Sequence, residues 1–197
     1  GHRRPDERHI RKSDVFEIAE AINVEFNIEG YPSEEFLHLV ESVVPAQCTL
    51  VPDPPGVLTS NAGWDTIKNN SFLQDVVARL KEKNIRVSIF CETDLALVEG
   101  ARETGTDRIE LYTEPYAVGY VVDRSAAVNP FREAALRANA IGLGINAGHD
   151  LSLSNLRWFH EQVPHLLEVS IGHALVCDAP YTVFEVAVQA YQICLGN

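Results

Sequence analysis

Six short apolar runs alternate with amphipathic stretches along this chain, and this alternation restricts the fold more than any other feature. The runs are VEFNIE (24–29), QCTLVP (47–52), RVSIFCE (86–92), RIELYT (108–113), IGLGINAG (141–148) and HLLEVSIG (165–172). They read as nearly continuous apolar sequence, which is typical of strands covered on both faces. Strands that alternate with helices form parallel sheets through right-handed crossovers. The pattern therefore predicts an α/β fold built on a parallel sheet.

Residues that favour helix starts precede most of the amphipathic stretches. Ser13, Ser33 and Asp94 are predicted N-caps, because their side-chain oxygens can accept from free N–H groups of the first turn. Pro130 suits the first position of a helix, so we predict a helix over NPFREAALRANA. A further helix is predicted from Leu151 onward, directly after the segment NAGHD.

The remaining segments are assigned by apolar spacing. The stretch SFLQDVVARLKEKN is predicted to bury one face, made of Phe72, Val76, Val77 and Leu80. A single helix, 179–195, is predicted to close the chain. The longest irregular segments are 53–65 and 114–128, and each follows a strand. Loops in these positions form the active sites of barrels.

The strand count and the chain length both fall short of a complete barrel. A (β/α)8 TIM barrel needs eight strands and typically about 250 residues, whereas this chain has six candidates in 197 residues. Neither GxGxxG after the first strand nor GxxxxGK[ST] occurs, which disfavours a dinucleotide-binding fold and a P-loop. We therefore expect one domain, 1–197, forming a (β/α)8 barrel that lacks its first βα unit and most of its second strand.

Composition and motif spacing exclude several classes of function. The net charge of −12 and the absence of a basic stripe argue against nucleic-acid binding. No apolar stretch reaches membrane-spanning length and no signal peptide is recognisable, so we expect no membrane association and a cytoplasmic location. The four cysteines form no CxxC, and no HxH or HExxH occurs, so neither a disulfide framework nor a metal site is predicted.

Polar residues at the ends of the predicted strands are the candidates for chemistry, because the carboxyl ends of barrel strands meet at one site. Glu29 ends the first run and reads either as a general base or as a solvated turn carboxylate. Thr59 lies in the loop after the second run among small polar residues that suit hydrogen bonding to a substrate. Glu92 and Glu110 could each orient a reacting side chain without contacting the substrate.

Two consecutive runs end in a Gly-His pair, Gly148-His149 and Gly172-His173. Loops after the last two strands of barrels often bind phosphate, since glycine allows close approach and a helix start offers free N–H groups. Asp150 follows the first pair. The opening segment GHRRPDERHIRKSD is either a solvated arm or an active-site loop whose arginines suit phosphate. The four lysines all lie away from strand ends, which argues against Schiff-base chemistry.

Several segments together resemble the pyridoxine 5′-phosphate synthase family. They are HRRPDERHI, EFNIEG, LVPDPPGVLTSNAGWD, VSIF, IELYTEPYA, NAGHDLSLSNL and EVSIGHAL, and they run in order through essentially the whole chain. The resemblance implies a (β/α)8 barrel with extra helices that assembles as a homo-octamer, a tetramer of dimers. It also implies an enzyme without an organic cofactor. The implied reaction condenses 1-deoxy-D-xylulose 5-phosphate with 3-amino-2-oxopropyl phosphate into pyridoxine 5′-phosphate, inorganic phosphate and water.

The resemblance implies roles for nine residues. Three would move protons, with His2 and Glu29 as acceptors and His149 as the donor. Three would bind 1-deoxy-D-xylulose 5-phosphate: Arg4, His9 and Thr59. Three would hold the phosphate of 3-amino-2-oxopropyl phosphate: Asp150, Gly172 and His173.

The chain departs from the family pattern in three places. Position 150 is Asp where many members have Gly, and position 3 is Arg where an apolar residue or Pro is commoner. The Asn, the Asp-His and the Arg of the family's first βα unit have no counterpart here. Two alternatives therefore stay open. One is a phosphate-binding barrel without this activity, and the other is a different phosphosugar isomerase or lyase on the same fold.

Overall fold

A computed structural model describes residues 10–53 and 62–196 and has a parallel α/β architecture. The strands are β1 (Asn27–Gly30), β2 (Gln47–Leu50), β3 (Arg86–Cys91), β4 (Arg108–Tyr112), β5 (Gly144–Gly148) and β6 (Leu166–Ser170). The helices are α1 (Lys12–Ala21), α2 (Glu34–Val43), α3 (Asn70–Lys81), α4 (Leu95–Glu103), α5 (Glu114–Ala140), α6 (Leu156–Gln162), α7 (His173–Thr182) and α8 (Phe184–Cys194). The six strands form one sheet in the order of the sequence, and each pairs in parallel with the next. The predicted strands and the parallel α/β class are confirmed.

The two faces of the sheet differ in chemistry. One face packs against the helices through apolar residues in register, such as Ile28 beside Cys48 and Ile109 beside Ile145. The opposite face is polar, since successive side chains of a strand point to opposite sides. We call it the polar face and define it by Asn27, Glu29, Gln47, Thr49, Arg86, Ser88, Arg108, Glu110, Asn146, Glu168 and Ser170. The prediction of strands that are apolar on both faces is therefore wrong.

Hydrogen bonds show that the sheet curls toward its polar face. Ser170 on β6 donates to Glu29 on β1 at 2.9 Å, although 141 residues separate them. Gln47 on β2 donates to Glu168 on β6 at 3.3 Å. No ladder joins β1 to β6 within the described ranges. The polar face is thus the concave inside of a partly closed barrel.

Two of the three predicted side-chain caps are confirmed. The Ser33 hydroxyl accepts from the Phe36 N–H at 3.2 Å, and Asp94 accepts from the Ala96 N–H at 2.8 Å. The cap predicted at Ser13 is wrong, because α1 already begins at Lys12. The carboxylate of Asp14 accepts from the Arg11 N–H at 2.9 Å, and this bond sets the earlier start.

The segment 114–128, predicted to be irregular, is helical and belongs to α5. A kink at Asp123, with φ −150° and ψ 95°, interrupts this helix. The Asp123 carboxylate accepts from the Ser125 and Ala126 N–H groups at 3.0 Å each, so it caps the second part from inside the element. The helix start predicted at Pro130 is therefore wrong, since Pro130 lies within that second part.

The C-terminal region also differs from its prediction. The helix predicted from Leu151 begins only at Leu156. The Asn155 side chain accepts from the Ser152 N–H at 2.8 Å and donates to the Asp150 carbonyl at 3.2 Å, which favours a turn over a helix. The single closing helix is in fact two, α7 and α8, which are separated at Val183 by a left-handed φ of 71°.

Two further predictions concern burial. The buried side of α3 consists of Leu73, Val76, Val77 and Leu80. Phe72 was expected there but is 42% exposed, and its ring lies 6.0 Å from that of Trp64.

All four cysteines are free, and Cys48 and Cys91 are buried. None of the described helices combines the length and apolar character needed to cross a membrane.

Candidate active site

The C-terminal ends of the strands bring a group of polar side chains together on the polar face. Glu29 comes from β1, Glu110 from β4 and Ser170 from β6, while His149 follows β5 directly. Parallel strands place their carboxyl ends at the same edge, and the curl of the sheet brings β1 toward β6. The sequence-predicted residues Glu29 and His149 therefore lie in one site.

Glu29 is buried, with 8% of its surface exposed. Its Oε1 atom accepts from the Ser170 hydroxyl at 2.9 Å and from the Asn27 amide at 3.3 Å. The Asn27 amide oxygen in turn accepts from the Thr49 hydroxyl at 3.1 Å. This chain of hydrogen bonds holds the Glu29 carboxylate in one orientation, which is what a general base requires.

Glu110 is the most deeply buried carboxyl of the site, at 1% exposure. Within the described ranges neither of its oxygens forms an aligned hydrogen bond, although the Thr49 hydroxyl lies close enough to oppose the rise in the pKa of this carboxyl. Burial raises the pKa of Glu110 well above the ordinary value of 4.5, and the charges of Glu29 and Glu168 raise it further. This environment favours the protonated form of the carboxyl, which can donate a hydrogen bond as neutral acids do in other active sites.

Gly148 leaves the space that the Glu110 carboxyl occupies. A Cβ atom at position 148 would lie 2.1 Å from the Glu110 Oε1 atom and 3.0 Å from the Ser170 Cβ atom. The Gly148 carbonyl accepts from the Thr113 hydroxyl at 2.6 Å, so the backbone has little freedom to move away. The glycine before His149 is thus explained by close approach of a carboxyl.

His149 has a strained backbone, with φ at 94° in the left-handed region that favours glycine. Such conformations cost of order 1–3 kcal/mol and persist where the surroundings enforce them. Its N–H donates to the Ser170 carbonyl at 3.3 Å, and its carbonyl accepts from the Leu151 N–H at 2.7 Å. Ser170 therefore bonds the backbone of His149 and the side chain of Glu29, so it holds the two candidate residues in the same part of the site.

Unsatisfied buried atoms are concentrated at this site. Among the described residues, buried side-chain atoms without a partner occur on Ser88, Glu110, His149 and His160. The first two belong to the polar face and His149 adjoins it, whereas His160 lies in α6. Native proteins keep few such groups, and each calls for an explanation such as a catalytic role. The arrangement is suited to proton transfer on a bound small molecule.

The second Gly-His pair forms the start of α7. Gly172 is the N-cap and His173 is the first residue of this ten-residue helix. Both are exposed, and a Cβ atom at position 172 would meet nothing within 4 Å. The His173 Nε2 atom lies 3.6 Å from the Cys177 thiol one turn further on. Free N–H groups at this helix start suit an anion.

Asp150 is exposed and caps no helix. Its backbone carbonyl accepts from the Asn155 side chain within the turn that precedes α6. The prediction that His149 and Asp150 lie at a helix start is therefore wrong. Four other predicted site residues lie outside the described residues: His2, Arg4, His9 and Thr59.

The sequence did not single out three residues of this site. Ser170 links Glu29 to His149, and Phe90 and Tyr112 pack around the His149 ring. All three side chains point to the same side of the sheet as the polar face. Tyr112 lies two residues after Glu110 in β4, so the alternation of side chains along a strand could have identified it. Glu92, predicted to support the site, accepts from the Gly63 N–H at 3.3 Å and so anchors the end of the long loop.

A metal site was not predicted from the sequence. No cluster of three or more His, Cys, Asp or Glu side chains suited to a metal ion occurs within 10–53 and 62–196.

Comparison with known proteins links these residues to one family. The model of the family described as "Pyridoxal phosphate biosynthesis protein PdxJ" matches residues 1–197. A protein of Porphyromonas gingivalis named pyridoxine 5′-phosphate synthase is 55% identical over 97% of this chain and 80% of its own length. Proteins of the same name from Parabacteroides distasonis and Cytophaga hutchinsonii are 54% and 52% identical. The alignments cover 100% and 96% of this chain, and 82% and 80% of those proteins.

Solved structures show the fold at low sequence identity. The tryptophan synthase A-subunit of Pyrococcus furiosus matches with a TM-score of 0.62 and 14% identity, over 94% of this chain and 72% of its own. Phosphoribosylanthranilate isomerase of Thermotoga maritima matches with a TM-score of 0.61 and 13% identity, over 99% and 84%. These similarities place the curled sheet among TIM-barrel proteins and confirm that part of the prediction.

Proposed function

Since the chain belongs to the PdxJ family of enzymes, we propose that it condenses 1-deoxy-D-xylulose 5-phosphate with 3-amino-2-oxopropyl phosphate. The products are pyridoxine 5′-phosphate, inorganic phosphate and water, so the reaction belongs to the biosynthesis of vitamin B6. The observation that carries this proposal is the convergence of Glu29, Glu110 and His149 at the C-terminal end of the polar face. Ring closure needs repeated proton transfers, and these three groups can supply them.

Each group has a role that its surroundings support. Glu29 acts as the general base, since two hydrogen bonds to its Oε1 atom orient the carboxylate. His149 acts as the proton donor, and its backbone N–H bonds the carbonyl of Ser170, whose hydroxyl bonds Glu29. The neutral Glu110 carboxyl donates a hydrogen bond to a substrate oxygen on which negative charge develops. A positioned acid or base typically contributes about 10²–10⁴-fold to the rate.

The phosphate of 3-amino-2-oxopropyl phosphate binds at the start of α7 in this proposal. The N–H groups of the first turn and the exposed His173 ring offer donors there. Asp150 contributes only its backbone N–H, because its carboxylate would repel the anion. His2 as proton acceptor, and Arg4, His9 and Thr59 as ligands of 1-deoxy-D-xylulose 5-phosphate, remain proposals drawn from the family.

The assembly is proposed to be a homo-octamer in the cytoplasm, as the family resemblance implies. Light scattering of the purified protein at several concentrations measures the mass of the assembly and so tests the octamer. A mass close to eight times that of the chain supports the octamer, and a stable monomer contradicts it.

The reaction itself is tested by supplying both phosphorylated substrates together. We expect the ultraviolet absorption of a pyridine ring to appear in step with the release of inorganic phosphate. Omission of either substrate is the control, and it should abolish both signals. Binding of the substrates without a pyridine product would overturn the proposed reaction and favour a phosphate-binding barrel. Turnover of one substrate alone would favour a phosphosugar isomerase or lyase.

A further inference from the structure

We propose that Thr49 is a positioning residue that links the Glu110 carboxyl to the orientation of the Glu29 carboxylate. While Glu110 holds its proton, the Thr49 hydroxyl donates to Asn27, and Asn27 in turn holds Glu29. This role deepens the proposed function, because it rests on Glu29 as the general base. It depends on a chain of hydrogen bonds whose direction is fixed at each step.

The direction of the chain is set at Glu29. The Asn27 Nδ2 atom donates to the Glu29 Oε1 atom at 3.3 Å. An ionised carboxylate only accepts, so the amide must turn its NH₂ group toward Glu29 and its Oδ1 atom toward Thr49. That oxygen also only accepts, so the Thr49 hydroxyl must be the donor of the 3.1 Å bond between them. The single hydrogen of the hydroxyl is thereby committed to the chain that holds Glu29.

Glu110 competes for the same hydrogen. Thr49 is fully buried and pairs with Glu29 in register, and its hydroxyl lies close enough to the Glu110 carboxyl to oppose the rise in the pKa of that group. An ionised Glu110 would attract the hydrogen, since bonds to a charged acceptor are roughly twice as strong as neutral ones. A protonated Glu110 leaves the hydrogen to Asn27 and keeps its own for a substrate oxygen.

The surroundings of Glu110 favour the protonated form. The carboxyl is 1% exposed, and burial raises its pKa well above the ordinary value of 4.5. The negative charges of Glu29 on β1 and Glu168 on β6 raise the pKa further. We therefore expect the Thr49 hydrogen to stay with Asn27 at neutral pH.

The other charged groups near Glu110 belong to the polar face or adjoin it. Arg86 and Arg108 are the cations of that face, and both already donate to carboxylates at its N-terminal end. His149 adjoins the face after β5, where its ring packs against Phe90. The ionisation of Glu110 is therefore governed mainly by burial and by the two neighbouring carboxylates.

Kinetics test the positioning role. Thr49→Val keeps the shape of the side chain and removes the hydroxyl, and loss of one such hydrogen bond corresponds to about 2- to 10-fold in rate. We expect kcat to fall by that factor with the KM of both substrates unchanged, because the buried Thr49 touches neither. Thr49→Ser, which keeps the hydroxyl, should restore most of kcat. A wild-type kcat in Thr49→Val, or an equal loss in Thr49→Ser, would overturn the proposal.

A double-mutant cycle shows whether Thr49 acts through Glu29. In the Glu29→Gln background, Thr49→Val should lower the residual kcat no further, because there is no carboxylate left to orient. Losses that multiply would contradict the proposal. Thr106→Val is the matched control, since the buried Thr106 hydroxyl donates to the Val87 carbonyl at 2.9 Å, away from the site. It should lower the melting temperature as Thr49→Val does and leave kcat unchanged.

Infrared spectroscopy tests the link to Glu110 without reference to turnover. The C=O band of the protonated Glu110 carboxyl is assigned as the one that disappears in Glu110→Gln. We expect this band in the wild type at pH 7. In Thr49→Val it should persist to higher pH than in the wild type, because the ionised form has lost a donor. Absence of the band at pH 7, or its loss at the same pH in both proteins, would overturn the proposal.

The two tests separate this proposal from the proposed function. Normal turnover by Glu29→Gln would refute the general base, even if the infrared band moved as expected. An impaired Glu29→Gln enzyme with an unmoved band would leave the general base standing and refute the link through Thr49.

Discussion

The two ends of the polar face use charged side chains in opposite ways. At the N-terminal end, Arg86 bonds Glu25 at 2.5 Å and Gln47 at 2.9 Å. Beside it, Arg108 donates to Glu168 at 3.1 Å. Toward the C-terminal end, by contrast, neither oxygen of Glu110 forms an aligned hydrogen bond within 10–53 and 62–196, and the same holds there for Nδ1 of His149.

The difference indicates what each end does. Ion pairs and amides that satisfy one another order the strands, and they leave no free donor or acceptor for a ligand. A buried carboxyl whose pKa is raised well above its ordinary value, as at Glu110, is typical of functional sites. The glycine at position 148 and the strained φ of His149 lie at that same end. We infer that the C-terminal end is built for chemistry and the N-terminal end for structure.

The largest effect is expected from His149→Asn. The amide keeps a polar group of similar size but cannot transfer a proton, so kcat should fall by at least about 100-fold. Steady-state rates of pyridine formation measure this loss. The melting temperature should stay near that of the wild type, because asparagine tolerates the left-handed φ of this position. Turnover close to normal would show that the C-terminal end is not catalytic through this residue.

Glu110→Gln should stabilise the protein in a pH-dependent way. The pKa of Glu110 is raised in the folded state by burial, so the native protein retains a proton that the unfolded chain releases above about pH 4.5. This effect is absent below pH 4.5 and weakens the wild type as the pH rises toward the folded-state pKa. The difference in unfolding free energy between variant and wild type should therefore grow by up to about 1.4 kcal/mol per pH unit.

Urea unfolding of both proteins between pH 4 and pH 8 measures this difference. A constant offset across the range would mean that Glu110 is ionised in the folded state. Glu110 would then no longer distinguish the C-terminal end of the polar face from the N-terminal end.

A smaller effect is expected from Gly148→Ala. The added methyl group would overlap the Glu110 carboxyl, and overpacking of this kind typically costs about 1–3 kcal/mol. We expect a lower melting temperature and a lower kcat, since the carboxyl must shift. Gly142→Ala is a suitable comparison, because Gly142 has space around it but a left-handed φ of 81°. If Gly148→Ala were as active as the wild type, close approach of the carboxyl would not matter for catalysis.

Much of the fold was predictable because local patterns determine it. The six strands were found from apolar runs, and the caps at Ser33 and Asp94 were found from residues that can accept from the next turn. The late start of α6 was missed because Asn155 bonds the Ser152 N–H and the Asp150 carbonyl. The kink at Asp123 was missed for a similar reason, since a cap inside a longer helix looks like a loop in the sequence.

The site was predictable only in part. Glu29 and His149 could be identified at strand ends, and the structure brings them together. The role of Ser170 depends on the curl of the sheet, which brings β6 next to β1 although 141 residues separate Ser170 from Glu29. No local sequence pattern predicts a contact between residues so far apart in the chain. The raised pKa of Glu110 likewise depends on burial and on charges from two other strands.

The contrast between the two ends is tested most directly by a matched pair of carboxylates on the same face. Glu29→Gln and Glu168→Gln each remove one negative charge, the first beside Ser170 and the second beside Arg108. The account predicts a fall in kcat of at least about 100-fold for Glu29→Gln. For Glu168→Gln it predicts kcat within about threefold of the wild type and a melting temperature lowered by a few degrees, as the Arg108 ion pair is lost. A Glu29→Gln enzyme that forms product at the wild-type rate, or a Glu168→Gln enzyme that is stable but inactive, would contradict it.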